Sequence, residues 1–592
     1  MSPADEYARR LQERELSAAR LERLHIRIGY VRLLLGIAIA LIAWWAFARH
    51  AFSGWWVMAP IAAFAVVAAR HSRILQARKR AERAAELYRQ GIARMQDRWA
   101  GVGATGERFQ DLHHVYAADL DLFGEGSLFQ LLSRARTRMG EEKLAAWLLA
   151  PARLEEVRQR QAAIADLSGR LDLREYMGVL GEGPEVGIHP EALLRWAEAP
   201  PQLRQRWVRI AAPILAALAI ATAVIWGVWG IIPPFFVVLA LSFMLERRFK
   251  QAMLQTLYGT EHAFEDLDLL SAVLARLERE PFTAPRLQAL QQRLVSEHLP
   301  PSRAIGKLRT IIDFSYSRDN LILRVVDLPL LYSLQVAFWA GAWRRRHGAA
   351  VRRWLEATGE MEALISLAAY SYEHSADPFP EFAAGPAALE AEELGHPLIA
   401  AEKCVRNSVR LGGEARVLLV SGSNMSGKST LLRAIGINTV LAMAGAPVRA
   451  RRLHLTPLQV GASIRVNDSL QEGSSRFYAE IKRLRRIFDL AGGDPPLLFL
   501  MDELLQGTNS MDRRIGAEGI VRALVQRGAI GLVTTHDLAL AEISGPLDGQ
   551  IRNVHFQDEL EGGRIHFDYR LRPGVVAKSN GLELMRSIGL DV

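Results

Sequence analysis

The chain has 592 residues, of which 50% are hydrophobic and 23% are charged, with a formal net charge of +9 and a single cysteine, Cys404. One hydrophobic core does not extend over so many residues, so the length predicts several domains. A single cysteine excludes an intrachain disulfide and a multi-thiolate zinc site. The positive charge favours anionic partners, either nucleic acid or lipid headgroups.

Uncharged stretches in the first half of the chain predict two membrane-spanning hairpins. They cover 33–48, 51–69 and a longer run, 210–245, which glycine and proline interrupt near its middle. A helix of about 20 apolar residues crosses the hydrocarbon layer. Arginine and lysine follow the first hairpin and flank the second, which places both termini in the cytoplasm. The sequence predicts a multi-pass membrane protein with four spans; hairpins buried in a soluble core are the alternative.

A glycine-rich loop follows a buried-strand pattern at 417–420 and precedes a helical segment. This context predicts a phosphate-binding loop, in which backbone N–H groups and the helix N-terminus face phosphate oxygens. Lys428 would reach the β- and γ-phosphates, and Ser429 would bind Mg²⁺. The predicted nucleotide-binding residues of the loop are Gly422, Ser423, Asn424, Met425, Ser426, Gly427, Lys428, Ser429 and Thr430.

Two further strand ends carry the side chains that a nucleotide hydrolase needs. The run 497–501 ends in Asp502 and Glu503, which would hold the magnesium ion and orient or deprotonate the attacking water. The run 530–533 leads to His536, which could contact the γ-phosphate. ATP and Mg²⁺ are the expected cofactors, with Lys428, Glu503 and His536 as catalytic residues and Ser429 and Asp502 at the metal.

The phosphate loop, with its Asn-Met pair, closely resembles that of the MutS family of DNA mismatch repair ATPases. Segments at 473–480, 501–510 and 535–536 are similar to further motifs of the family, in the same order. The resemblance implies that Ser475 reaches across a homodimer to the γ-phosphate of the other subunit. It also implies that Asn407 contacts adenine, although Cys404 stands where the family has the aromatic residue that stacks on the base.

The resemblance continues outside this domain. Residues 122–151 resemble the opening of the family's helical core, 396–398 the entry to its ATPase domain and 578–581 its closing segment. The mismatch-reading wedge and the connector domain of the repair enzymes have no counterpart, and Phe379-Pro-Glu381 matches the wedge pattern by chance. No nuclease-like segment is expected after the ATPase domain. Recognition of a mispair is therefore not implied.

The predicted fold class is multidomain, with membrane α-hairpins, an all-α core with lever helices, and an α/β P-loop ATPase domain of ABC-like type with a mainly parallel sheet. The predicted domains are a polar amino-terminal tail at 1–28, a transmembrane hairpin at 29–71, a helical linker at 72–117, the first part of the core at 118–206, a second hairpin at 207–247, core and lever helices at 248–385 and the ATPase domain at 386–592.

Three functions stay open on the sequence. The first is a membrane-anchored, homodimeric MutS-like ATPase whose helical arms hold double-stranded DNA through its backbone. The second keeps the ATPase but gives it a protein or lipid client and no DNA. The third is half of an ABC-type transporter, which lacks support because no Leu-Ser-Gly-Gly-Gln motif and no contiguous block of spans are present.

Overall fold

The computed structural model describes residues 2–49, 53–180, 190–200, 202–203, 205, 207–257, 264–295, 299–317, 321–423, 425–465, 476–536, 549–561 and 564–575. Helices dominate as far as Glu373, and an α/β domain with mixed sheets follows, which confirms the predicted order of the two regions. The helices of the first region are α1 (Pro3–Ala43), α2 (Met58–Met95), α3 (Leu128–Leu132), α4 (Arg138–Leu149), α5 (Leu154–Ser168), α6 (Leu171–Val179), α7 (Pro190–Glu198), α8 (Val208–Trp229), α9 (Pro233–Leu257), α10 (Phe264–Leu277), α11 (Pro285–Leu294), α12 (Pro301–Ser317), α13 (Leu321–Leu330) and α14 (Tyr332–Glu373).

Helices α1 and α2 pack along each other as one long hairpin. A π-helical turn (Trp44–Ala48) and a 3₁₀ turn (Gly54–Val57) lie near its tip. Helix α1 begins at Ser2, whose side chain accepts a hydrogen bond from Asp5 N. Residues 3–28 of the segment predicted as a polar tail, 1–28, are the first part of this continuous helix, and their charged side chains have partners on α2, as in the Arg89–Glu15 ion pair at 2.8 Å.

The apolar parts of these helices face outward. The exposed large hydrophobic residues of the first hairpin include Leu33, Leu34, Leu41, Trp44, Trp45, Trp55 and Trp56. On α8, Ile210, Ile214 and Trp229 are exposed in the same way. Soluble proteins rarely leave continuous apolar surfaces of this kind in contact with water, whereas aromatic and aliphatic side chains of membrane-spanning helices face lipid.

Three helices in the described part of the chain are long and apolar enough to cross a membrane, namely Pro3–Ala48, Gly54–Met95 and Val208–Trp229. The sequence predicted four spans. The fourth would lie in α9, which packs against α8, but its uncharged portion ends at Leu245 and charged residues follow within the same helix. Its apolar part is shorter than a bilayer-crossing helix, so the second hairpin contributes one helix of the required length.

Helix α14 is the centre of the helical region. It is 42 residues long and packs against α4, α5, α7, α9, α11 and α12. Most of its side chains are buried, among them Trp354, Met361 and Leu364. Helix α14 ends directly before the α/β domain. One apolar core contains buried residues of both the helical region and that domain.

The α/β domain contains two sheets. Its strands are β1 (Glu381–Phe382), β2 (Leu389–Leu394), β3 (Asn407–Leu411), β4 (Val417–Ser421), β5 (Arg452–Leu455), β6 (Gln459–Ser463), β7 (Leu497–Met501), β8 (Ile530–Thr535), β9 (Ile551–Glu561) and β10 (Arg564–Pro573), and its helices are α15 (Lys428–Ala444), α16 (Arg476–Leu490) and α17 (Ser510–Gln526). The six-stranded sheet has the order β10-β9-β4-β8-β7-β6, and every neighbouring pair except β10–β9 is parallel.

A second sheet, of four strands in the order β1-β5-β2-β3, is mainly antiparallel and was not predicted. In the parallel sheet, β8 lies between β4 and β7. The carboxyl ends of these three strands therefore meet at one edge, with Ser421 opposite Thr535 and Met501 opposite Val533. Ligands of open α/β sheets bind at this edge.

Candidate nucleotide-binding site

The loop between β4 and α15 is built on two glycines with positive φ, Gly422 at +150° and Gly427 at +104°. A Cβ atom at Gly422 would lie 2.8 Å from Ser426 Oγ and 3.2 Å from Phe556 O. Because only glycine fits this conformation and this spacing, the loop can curl tightly from a buried strand into the start of a helix. Gly427 is the N-cap residue of α15.

Lys428 is buried at the start of α15, and its ammonium group faces back into the loop. Its Nζ donates to Gly422 O at 2.7 Å and to Ser423 O at 2.9 Å, and it lies 3.9 Å from Glu503 Oε1. Burial lowers the pKa of Lys428, against the opposing effect of the two nearby carboxylates, Glu503 and Asp502. The carboxylates therefore help to keep this desolvated lysine charged.

Asp502 accepts hydrogen bonds from two hydroxyl groups, one at the start of α15 and one near the end of β8. Ser429 Oγ donates to Asp502 Oδ2, and Thr534 Oγ1 donates to Asp502 Oδ1. The Thr534 hydroxyl also accepts a hydrogen bond from Glu503 N at 3.0 Å. The buried Thr534 hydroxyl thus positions both acidic residues. The Ser429 hydroxyl and the Asp502 carboxylate are in contact next to the loop.

Glu503 has a backbone conformation that non-glycine residues rarely adopt, with φ at +51°. Its side chain is only partly exposed, and its Oε1 lies 3.5 Å from Nδ1 of the half-exposed His536. Gln506 Nε2 donates to the other oxygen, Oε2. The carboxylate is therefore fixed between a lysine, a histidine and a glutamine, at the end of the strand.

A cavity of about 580 Å³ opens above the loop. Loop residues and Glu503 form one side, and the residues on the other side include Leu394, His396, Cys404, Asn407 and Tyr569. Asn407 Nδ2 donates to Tyr569 O at 2.9 Å, and its Oδ1 accepts from Leu571 N at 2.8 Å. Burial lowers the pKa of His396 to about 4, so this histidine is neutral near pH 7.

The chemistry of these residues fits a magnesium nucleotide. Hydroxyl and carboxylate oxygens, such as those of Ser429 and Asp502, are the ligands that Mg²⁺ prefers. The loop has the backbone geometry of a phosphate cradle, and Lys428 supplies a positive charge beside it. The cavity is large enough to hold a small-molecule ligand.

The structure brings together five of the predicted site residues at one sheet edge, namely Lys428, Ser429, Asp502, Glu503 and His536. Asn407 lies across the cavity, with both ends of its amide bonded to β10. Of the loop, Ser426 is buried and Met425 is exposed. Two predicted residues, Asn424 and Ser475, lie outside the described residues, as does the segment 578–581.

Sequence reasoning missed three residues at the site, Thr534, Gln506 and Tyr569. Thr534 could have been found, because it is the last but one residue of a strand expected next to the loop strand. Gln506 lies three residues after Glu503, but no sequence pattern indicates that its side chain would donate a hydrogen bond to the Glu503 carboxylate. Tyr569 lines the cavity from β10, and its ring is 3.1 Å from where a Cβ on Gly427 would be.

Comparison with known proteins places this domain. The family profile described as MutS domain V matches residues 418–591. An endonuclease MutS2 of Thermus thermophilus is 37% identical over 196 residues, which are 33% of this chain and 25% of that protein. An endonuclease MutS2 of an Anaeromyxobacter species is 33% identical over 210 residues, 34% of this chain and 25% of that protein. The DNA mismatch repair protein MutS of Thermus aquaticus is 33% identical over 198 residues, 33% of this chain and 23% of that protein.

The fold and the site thus define the carboxyl-terminal part of the chain as an ATPase domain of the MutS type. The chain spans about a quarter of the length of the curated relatives that it matches. Residues 418–591 belong to the family of MutS domain V, and the chain shares this domain with these relatives. The likeness of 122–151 to the family's helical core stays a prediction from the sequence.

Proposed function

We propose that this protein is a membrane-anchored MutS-family ATPase that binds and hydrolyses ATP with Mg²⁺ at composite sites of a homodimer. The observation that carries the proposal is the meeting of Lys428, Ser429, Asp502 and Glu503 at one edge of the parallel sheet. A phosphate-binding loop after β4 and an acidic pair after β7, on either side of β8, form the arrangement that phosphoryl transfer to water requires.

Each residue then has a distinct task. Backbone N–H groups of the loop and Lys428 hold the phosphates, which neutralises their charge and aligns the γ-phosphate. Ser429 and Asp502 would hold Mg²⁺, which supplies electrostatic stabilisation of the charge on the transferred group. Glu503 orients the attacking water and accepts its proton, and His536 beside it senses the γ-phosphate. The left-handed backbone at Glu503 fixes the direction of this carboxylate.

The site requires a second subunit. Ser475 is the residue that the family resemblance assigns to the partner's γ-phosphate, and its segment connects to α16, where Arg483 donates to Asp119 of the helical region. Nucleotide binding across the dimer would therefore pull on the helical region through this contact. Closing and opening of paired helical arms is the output that follows.

The membrane part of the proposal rests on three apolar helices whose large side chains are exposed. The hairpin of α1 and α2 would cross the membrane twice, with its base on the cytoplasmic side. Helix α8 and the apolar start of α9 would form a second insertion. Both termini and the ATPase domain would lie in the cytoplasm, as the flanking arginines favour.

Double-stranded DNA, held through its phosphate backbone, is the client that we propose first. It fits the positive net charge of the chain and the matches to a DNA mismatch repair protein and to endonucleases. A protein or lipid client is the second candidate, because much of the positive charge flanks the apolar helices, where anionic lipid attracts it equally well.

ATP turnover of the detergent-purified chain, with and without linear, mismatched and branched DNA, tests the proposal. Lys428→Ala and Glu503→Gln serve as blanks, and Glu503→Gln should still bind ATP because it keeps the loop intact. Stimulation by any duplex that is lost in both variants supports a DNA client. ATP turnover that is the same with and without each DNA, together with no DNA retention at moderate salt, favours a protein or lipid client. No magnesium-dependent nucleotide binding by the unmodified chain refutes the ATPase itself.

A further inference from the structure

A second, larger cavity lies where the first hairpin joins the helical region. Its volume is about 950 Å³, near the upper end of the range for small-molecule sites. Helix α2, the loop that follows it, the segment 133–138, α6 and α14 form its walls. It shares no lining residue with the nucleotide cavity. We call it the junction cavity.

Positive charge dominates the lining of the junction cavity, with eight arginines and five glutamates. Some of these charges neutralise one another. Arg94 Nε donates to Glu373 Oε2 at 2.7 Å, and Arg108 lies 2.8 Å from Glu141. Glu362 adds little negative charge, because burial raises its pKa to about 7. The cavity therefore keeps an excess of positive charge.

Three arginines account for most of this excess. Arg98 donates to the Gln96 side chain, Arg136 to Gly178 O, and Arg134 to Ser133 O and to Leu131 O. Among the described residues, none of the three forms an ion pair with a carboxylate. They come from the loop after α2 and from the segment between α3 and α4, so two separate parts of the chain direct unpaired cations to one cavity.

Arg134 gives an independent indication of a ligand. Its Nε is buried and has no hydrogen-bond partner among the described atoms. Burial, together with the neighbouring Arg94, lowers the pKa of Arg134 to about 9. Glu373 opposes this shift, but its carboxylate already pairs with Arg94. A desolvated guanidinium group without an anion of its own is costly in a folded protein, and an anion in the cavity would reduce that cost.

We propose that the junction cavity binds a small soluble anion that carries phosphate groups, with Arg98, Arg134 and Arg136 as its ligands. Arginine binds phosphate through paired N–H groups. Phosphate also supplies close to two negative charges per group near pH 7, which a cavity with several unpaired cations requires. This proposal is independent of the ATPase proposal, because the two cavities are separate.

Distance from the membrane distinguishes a soluble anion from a lipid headgroup. The uncharged part of the second span ends at Ala69, and Arg94 lies further along the same continuous helix. About 25 residues at 1.5 Å per residue separate them, or about 38 Å. The polar headgroup layer on one side of a bilayer is about 5–8 Å thick. A phospholipid that stays in the bilayer therefore does not reach the cavity.

An occupied junction cavity would join two elements with different tasks. Helix α2 belongs to the membrane hairpin, and α14 carries Glu362 and Glu373 to the cavity wall before it leads into the α/β domain. An anion bound to Arg98, Arg134 and Arg136 would link the end of the membrane hairpin to the segment before α4, which packs against α14. The cavity is thus placed to make the protein respond to a soluble phosphorylated compound.

Inorganic pyrophosphate is the probe for this site. The full chain is purified in detergent with Lys428→Ala, which removes the other phosphate site, and calorimetric titration is performed without magnesium. We expect one saturable binding event per chain. Arg98→Gln combined with Arg136→Gln should weaken it at least tenfold, because both side chains are exposed at the cavity and unpaired with carboxylates. Arg279→Gln, an exposed arginine on another face, is the matched control and should leave the affinity unchanged.

The melting temperature shows whether each variant is folded, and Arg136→Gln alone, with an expected loss of at least threefold, replaces the double variant if that does not fold. The proposal is overturned if pyrophosphate gives no saturable binding, or if the arginine variants bind it as well as Arg279→Gln. Repetition in nanodiscs separates the two sources of phosphate. Equal affinity in neutral and phosphatidylglycerol discs is expected, whereas competition by the anionic lipid overturns the assignment to a soluble anion.

Discussion

Replacement of Thr534 by valine removes one hydroxyl group and keeps the shape of the side chain. That hydroxyl donates to Asp502 Oδ1 and accepts from Glu503 N at 3.0 Å, and Thr534 is only 1% exposed. Thr534→Val therefore tests whether the alignment of the acidic pair limits hydrolysis.

The size of the effect follows from the bonds that are lost. Asp502 loses a charge-assisted hydrogen bond, a type worth about 1.5–3 kcal/mol, and Glu503 N loses its neutral acceptor. If this positioning acts in the transition state, kcat falls about 10- to 150-fold, since 1.4 kcal/mol corresponds to a factor of ten. The KM for ATP should change less than about threefold, because loop residues make the phosphate contacts.

Steady-state ATP hydrolysis by the purified chain measures both constants. Thr439→Val is the matched control, because the Thr439 hydroxyl is equally buried but donates to Ile435 O within α15, away from the acidic pair. We expect that control to keep kcat near that of the unmodified chain. A Thr534→Val enzyme with kcat within twofold of the control would refute the assigned role of this hydroxyl.

Three further predictions concern a buried carboxyl group on α14, the contact between the helical region and the α/β domain, and the binding of the adenine base. Burial raises the pKa of Glu362 from 4.5 to about 7, so the folded chain binds this proton more tightly than the unfolded chain. The stability that this proton contributes to the folded chain is complete below about pH 4.5 and is lost as the pH rises through 7. Glu362→Gln should therefore raise the melting temperature at pH 8 but not at pH 4.5. The corresponding gain in the free energy of unfolding at pH 8 is at most about 3 kcal/mol. Asp119→Asn removes the carboxylate partner of Arg483 and should cost about 1.5–3 kcal/mol in urea unfolding, the value of a hydrogen bond between charged groups. Tyr569 lines the nucleotide cavity beside Asn407, the residue that the family resemblance assigns to adenine. Tyr569→Ala should therefore weaken ATP binding several-fold and tripolyphosphate binding less, as measured by calorimetry.

Each of these three has a clear contrary result. An equal gain of melting temperature at both pH values would show that Glu362 does not titrate in this range. Unfolding of Asp119→Asn at the same urea concentration as the unmodified chain would show that the contact with α16 is not stabilising. Equal weakening of ATP and tripolyphosphate in Tyr569→Ala would place Tyr569 at the phosphates and not at the base.

The order of the two regions and the likeness of the carboxyl-terminal domain to MutS could be predicted because they depend on local patterns. A glycine-rich loop between a strand and a helix needs only neighbouring residues, so Gly422 to Thr430 were identified without tertiary information. The run 497–501 and its acidic end were equally visible. The four-stranded sheet was not, because β1 has two residues and the interior of β2 is rich in glutamate, which removes the apolar signal of a strand.

The polar start of the chain shows a different limit. Residues 3–28 are mostly polar, and they meet α2, which follows later in the chain, through ion pairs and through the packing of Tyr7 and Leu11 near Tyr88. The predicted fourth span concerns the length of a helix. Counting uncharged residues across a turn overestimates the second helix, because the charges that begin at Glu246 belong to the same helix as its apolar start.

What the sequence by itself determined is the identity of the chemical groups: a phosphate loop, two carboxylates, a histidine and the apolar helices. These depend on neighbours in the chain, where backbone geometry and periodicity leave few alternatives. Only the tertiary structure decided which groups meet. The order of β4, β8 and β7 brings the Thr534 hydroxyl to both carboxylates, and the packing of α2 against the helical region brings Arg98, Arg134 and Arg136 to one cavity. Contacts between distant segments are set by packing of the whole fold, and no local pattern encodes them.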